Sequence, residues 1–108
     1  MDEAKTLEEI KNFIGNNKMA LLLFSTENCS VCVDLKPKIE ELSIKYPNLK
    51  VIKIDMNKLT EASGEYSVFT IPTVDLYIEG KETIRKGRFV SVQQLDILIS
   101  RYYNILFS

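Results

Sequence analysis

Cys29 and Cys32 are the only two cysteines in a chain of 108 residues that has no histidine. Two residues separate them, where the apolar run Met19 to Phe24 gives way to a helical pattern. Three chemistries compete for such a pair: a structural bridge, half of a metal site, or a dithiol that exchanges with other disulfides. A bridge gains least at this spacing, since the chain-entropy argument gives roughly 2 kcal/mol for a four-residue loop against about 4.7 for a hundred-residue loop. Tetrahedral zinc asks for four protein ligands, and this chain offers two thiolates. Zinc or an iron–sulfur cluster would need a second copy or an added thiol, so no metal and no cofactor are expected.

Exchange chemistry fits the position better. Cys29 falls at or just before the first turn of the helix, where free backbone N–H groups and the helix dipole stabilise a negative sulfur. Cys32 lies one turn on, on the same side and within reach of a disulfide. The order predicts an exposed attacking thiol, Cys29, and an inner resolving thiol, Cys32. The absence of histidine excludes Cys-His and Ser-His-Asp nucleophiles.

The elements around the pair follow from periodicity. Thr6-Leu7-Glu8-Glu9 reads as a capping box, followed by Leu7, Ile10 and Ile14 on one helix face, with Gly15 as its end. Met19 to Phe24 is a strand covered on both faces. From Ser30 to Tyr46, Val31, Leu35, Ile39 and Leu42 mark an amphipathic helix, kinked at Pro37. Lys50 to Asp55 is a second buried strand, and Leu59 to Tyr66 a weak helix interrupted by Gly64. Thr73 to Glu79 and Glu82 to Lys86 form a hairpin about Gly80-Lys81. Ser91 and Gln94 make a second capping box, opening a helix striped by Val92, Leu95, Leu98, Ile99 and Tyr102. Strands alternating with helices imply an α/β domain with a mainly parallel sheet, helices on both faces and an antiparallel edge. Phe24, Tyr66, Phe69, Tyr77 and Phe89 are read as core or edge packing, Lys36 and Lys38 as a solvated helix face, and Glu27 as a solvated loop residue.

Length is that of one domain spanning residues 1–108, large enough to fold without a staple. The net charge of −1 is spread along the chain, and no Lys/Arg block points to nucleic acid. The longest apolar run is far short of a membrane span, and the charged N-terminus lacks the apolar segment of a signal peptide. The expectation is a cytoplasmic monomer with no membrane and no nucleic-acid partner.

Two stretches resemble the thioredoxin family: ALLLFSTENCSVCVDLKP, with Pro37 five residues after Cys32, and TIPTV, Thr70 to Val74. The likeness runs through nearly the whole chain in element order. It implies a thioredoxin fold with a central mixed sheet of about four to five strands. It also implies that Ile71–Pro72 is cis, and that the Ile71 backbone pairs with an extended peptide as an added strand would. Thr70, Ile71, Pro72 and Asn28 would then border the substrate. The implied activity is thiol–disulfide oxidoreduction of protein disulfides in cell redox homeostasis, through a mixed disulfide at Cys29 resolved by Cys32. A reductase or a low-molecular-weight thiol would supply electrons. The alternative is a peptide- or protein-binding module with little redox turnover.

The departures from the family pattern bear on mechanism. WCGPC is NCSVC here, so Asn28 replaces an aromatic, and Ser30 and Val31 replace Gly-Pro. Ser25 stands where the family has an earlier tryptophan. The family's buried acid aligns with Leu23, and its lysine partner with Val51. An apolar neighbour raises the pKa of the resolving thiol. Resolution by Cys32 is therefore expected to be slow near neutral pH unless another group takes its proton, with Asp75 as the candidate relay.

Overall fold

The computed structural model describes residues 1–108. The elements in chain order are β1 (Asp2–Glu3), α1 (Leu7–Asn16), β2 (Met19–Ser25), α2 (Ser30–Lys45), β3 (Leu49–Asp55), α3 (Ala62–Tyr66), β4 (Thr73–Ile78), β5 (Lys81–Gly87) and α4 (Val92–Phe107). They build one five-stranded mixed sheet of order β1-β3-β2-β4-β5. β1 and β2 run parallel to β3, whereas β4 runs antiparallel to both β2 and β5.

Central β2 carries no polar residue before Ser25, and every one of its residues is buried. That composition suits a strand covered on both faces. Alternate side chains then feed two cores. Leu21, Leu23, Leu35, Ile39, Leu42, Val74, Leu76, Leu95 and Ile99 pack together, which places α2 and α4 on one face. Leu22, Phe24, Ile52, Ile54, Ile10 and Ala62 form the other core, beneath α1 and α3.

α1 starts with the full capping box read from Thr6 and Glu9, and runs one residue past Gly15. α2 runs unbroken through Pro37, whose lost hydrogen bond would have gone to Val33, an exposed residue. Val31 is likewise exposed and contributes nothing to the buried stripe of α2. At the far end of α2, Lys45 Nζ meets Asp96 Oδ2 at 2.7 Å, and the Tyr46 hydroxyl donates to Asp96 Oδ1. Tyr46, Tyr103 and Phe107 pack ring against ring at 5.0 and 4.8 Å. This clamp ties α2 to α4 and leaves the opposite end of α2 to the cysteines. The tail Ile105-Leu106-Phe107 is the last turn of α4, with Phe107 packed on the core.

The hairpin turn falls on Glu79-Gly80, one residue earlier than the Gly80-Lys81 expected from sequence. Ile78 pairs with Lys81, and both loop residues have positive φ, 50° and 82°. That is the sign pattern of a type I′ hairpin. No helix is long and apolar enough to cross a membrane.

Candidate active site

β2 ends at Ser25, and β4 begins beside it, because Thr73 pairs with Phe24. The start of α2 and the segment before β4 therefore share one end of the sheet. Cys29 is the N-cap of α2, with extended backbone, and its Sγ accepts a hydrogen bond from the Cys32 N–H at 3.2 Å. The Val33 N–H closes the first turn on the Cys29 carbonyl at 3.1 Å. A sulfur at this cap sees unsatisfied N–H groups, which favour negative charge. Both cysteines are free; Cys29 is partly exposed and Cys32 is buried. Burial, then the hydrogen bond to Cys29, pushes the Cys32 thiol up to about 12. Leu23, fully buried on the α2 side of β2, contributes to that apolar surrounding.

The Ile71–Pro72 bond is cis. Pro72 is buried, Ile71 partly exposed, and Thr70 and Asn28 exposed. The Arg88 N–H donates to the Pro72 carbonyl at 2.8 Å, and a Cβ on Gly87 would come within 3.1 Å of Thr70 Oγ1. The end of β5 thus packs directly on the segment that carries the cis bond. Phe89 follows it and is 88% exposed; Phe69 precedes Thr70 and is 79% exposed. Exposed Val31 and Val33 stand on the first turn of α2, so these four side chains all belong to the cysteine end of the sheet. The sequence reading of Phe69 and Phe89 as packing residues is corrected here. Both lie outside the periodic apolar runs, and that was the available signal.

Asp75 is corrected as well. It pairs with Leu22 across β2–β4, and Val74 and Leu76 on either side belong to the α2 core. Its side chain therefore points to the face opposite Cys32, and relay between them is excluded by the sheet. There Asp75 is fully buried, and its Oδ2 accepts from Arg85 Nη2 at 3.1 Å, while Oδ1 has no partner. Burial drives its carboxyl up to about 7 against the pull of Arg85.

Beside Cys32 lies a cavity of about 230 Å³ lined by Ser25, Thr26, Glu27, Cys32, Val33, Lys36, Lys53 and Asp55. Lys36, read as a solvated residue, borders it. Ser25 and Asp55 are register partners on β2 and β3, as are Leu23 and Lys53. The small Ser25 side chain leaves this space open. No group of three or more Cys, Asp or Glu side chains is placed to hold a metal ion.

The thioredoxin family model matches residues 3–101. The chain is 34% identical over 100 residues to the thioredoxin-like protein YdfQ of Bacillus subtilis, covering 93% of this chain and 89% of that protein. It is 32% identical over 94 residues to a thioredoxin of Chlamydia trachomatis, covering 85% and 92%. The solved structure of Fasciola hepatica thioredoxin superposes with a TM-score of 0.85 at 28% identity, over 94% of this chain and 98% of that one.

Proposed function

The chain belongs to the thioredoxin family, a family of disulfide oxidoreductases, and we propose that its activity runs from Cys29 as attacking thiol to Cys32 as resolving thiol. The observation that carries this reading is the Cys29 sulfur itself. It caps α2, receives the Cys32 N–H and is the more exposed of the two. Cys29 thiolate attacks one sulfur of a substrate disulfide, and the other substrate sulfur leaves as a thiolate. Cys32 then attacks Cys29, closes the Cys29–Cys32 disulfide and expels the second substrate thiol. Two electrons pass from the pair to the substrate, and a reductase or a low-molecular-weight thiol returns them.

Protein disulfides are the substrate class that the surroundings favour. Extended peptide would lie along Thr70 and Ile71, beside Asn28, with its apolar side chains on Val31, Phe69 and Phe89. Net reduction in the cytoplasm by a monomer is the working direction, since Ser30 and Val31 supply no positive charge that would hold the pair strongly oxidising.

Trapping tests the assignment. Cys32→Ser should accumulate mixed disulfides with reducible protein substrates such as insulin, and Cys29→Ser should not. Faster alkylation of Cys32 than of Cys29 at neutral pH would overturn it. A binding module, the competing reading, would neither accumulate adducts nor accelerate insulin reduction by dithiothreitol.

A further inference from the structure

Resolution by Cys32 needs a proton acceptor, and neither position 23 nor Asp75 supplies one. Leu23 carries no acid, and Asp75 faces the opposite side of the sheet. Asp55 faces the right side. Leu49 and Val51 on the same strand pack on the α2 core, and the two-residue period carries Lys53 and Asp55 to that face. Asp55 is buried, 3% exposed, at the end of β3, and it lines the cavity that Cys32 also lines. Its Oδ1 accepts from the Asn57 N–H at 2.9 Å, which fixes the carboxylate and leaves Oδ2 free to accept.

The structure assigns to Asp55 the role of proton acceptor for Cys32, through water held in the cavity that Ser25 leaves open. This rests on the proposal that Cys32 resolves. A cavity of about 230 Å³, with six of its eight lining residues polar or charged, has room for several waters. In the step, Cys29 is bonded to a substrate sulfur. The Cys32 S–H proton passes through water to the Asp55 carboxylate. The Cys32 sulfur forms a bond to the Cys29 sulfur, and the Cys29–substrate bond breaks. The electron pair of that bond leaves on the substrate thiolate, and Asp55 returns its proton to solvent through the cavity. The raised pKa of Cys32 is what makes such an acceptor useful, because the free thiolate is scarce near neutral pH.

The charged groups around Asp55 come from several elements. Lys53 on β3 lies beside it and is bonded to Glu3 of β1 at 3.5 Å. Lys36 and Cys32 of α2 and Glu27 of the loop before it line the same cavity. Lys58, after β3, also feels the Asp55 charge. None of the lysines can accept a proton while charged. Glu27 is exposed and drawn to Lys58 at 3.5 Å.

Equimolar dithiobis-nitrobenzoate separates the two steps in the reduced wild-type protein. The first nitrobenzoate thiolate reports attack by Cys29, and the second reports resolution by Cys32. Asp55→Asn keeps an oxygen for the Asn57 N–H and removes the acceptor. We expect its first phase unchanged and its second slowed about tenfold or more at pH 7. Its second phase should rise about tenfold per pH unit from pH 6 to 9, where wild type is nearly flat, and Asp55→Glu should recover part of the flat profile. Removing a negative charge would by itself ease ionisation of Cys32 and speed this phase, so a pure charge effect has the opposite sign. An Asp55→Asn second phase as fast as wild type, or slowed with no change of pH profile, overturns the assignment. If Asp55→Asn does not fold, Ser25→Trp fills the cavity and leaves the carboxylate in place. A retained flat profile in that variant then overturns the assignment, and a steep one supports it. Failure of the first phase in wild type would instead remove the proposed role of Cys29, a separate result.

Discussion

At the scale of residues, the two buried carboxylates of this chain are set apart by a step of parity. Asp55 ends β3 on the face that α2 covers, and it lines a cavity there. Asp75 sits mid-strand on the other face with one oxygen unpartnered. A buried carboxylate with a single ion-pair partner costs more to desolvate than the pair returns. The direction of linkage follows. The Asp75 carboxyl titrates near 7 in the fold, above the usual range near 4, so between those values the folded chain holds the extra proton. Stability contributed by this group therefore falls as pH rises from about 4 to 7, and stays low above that. Asp75→Asn should be more stable than wild type at pH 8.5, by on the order of 2 kcal/mol, with the difference vanishing only toward about pH 4. Arg85 keeps its bonds to the Tyr66 and Ser67 carbonyls and to Glu82, so the variant strands no cation. Urea midpoints of both proteins at the two pH values check this. Taking the difference cancels the opposite contribution of Asp96, whose carboxyl Lys45 and Tyr46 hold below its usual range. A variant less stable at pH 8.5 than wild type would show that the Arg85 pair outweighs burial.

Elements were legible in the sequence wherever side chains set the periodicity. The run Met19 to Phe24, the 3–4 spacing of Leu35, Ile39 and Leu42, and the Thr6 and Ser91 caps all appear as strands and helices near the expected bounds. β1 was not legible, because Asp2 and Glu3 carry no apolar alternation; their backbone pairing with Ile52 and Lys53 and the Glu3–Lys53 ion pair leave no periodic signal in the sequence. The two cysteines and the segment around Pro72 were readable from spacing and resemblance. The Asp55 cavity was not, since it depends on a long-range approach of α2 to the ends of β2 and β3. The side of the sheet that Asp75 faces could have been read by counting in twos from Val74. The Glu79-Gly80 turn shows the same limit on a smaller scale, for the glycine was visible but the register was not. Glu79 has φ 50° in a position that asparagine occupies at lower cost. Glu79→Asn should raise stability by about 0.5–1 kcal/mol, read as an increased urea midpoint at an unchanged denaturant slope. A decrease would mean that Glu79 makes compensating contacts through its side chain.

Across the whole molecule, the sheet has one working end. The aromatic and ionic clamp of Tyr46, Asp96 and Tyr103 holds α2 to α4 at the far end. Cys29, the cis Ile71–Pro72 bond, exposed Phe69 and Phe89 and the cavity beneath Cys32 gather at the other. An end built this way leaves one thiol partly exposed and keeps the second buried behind it. The most direct measure of that account is the equilibrium of the Cys29–Cys32 pair against glutathione buffers, read by acid quenching and counting of free thiols. Nothing between the cysteines carries positive charge, so the pair should close an intramolecular disulfide with a potential of roughly −270 to −180 mV. A value near about −120 mV, typical of a strong oxidant, would contradict the reductive assignment. A pair that stays open across the whole buffer series would contradict the dithiol mechanism itself.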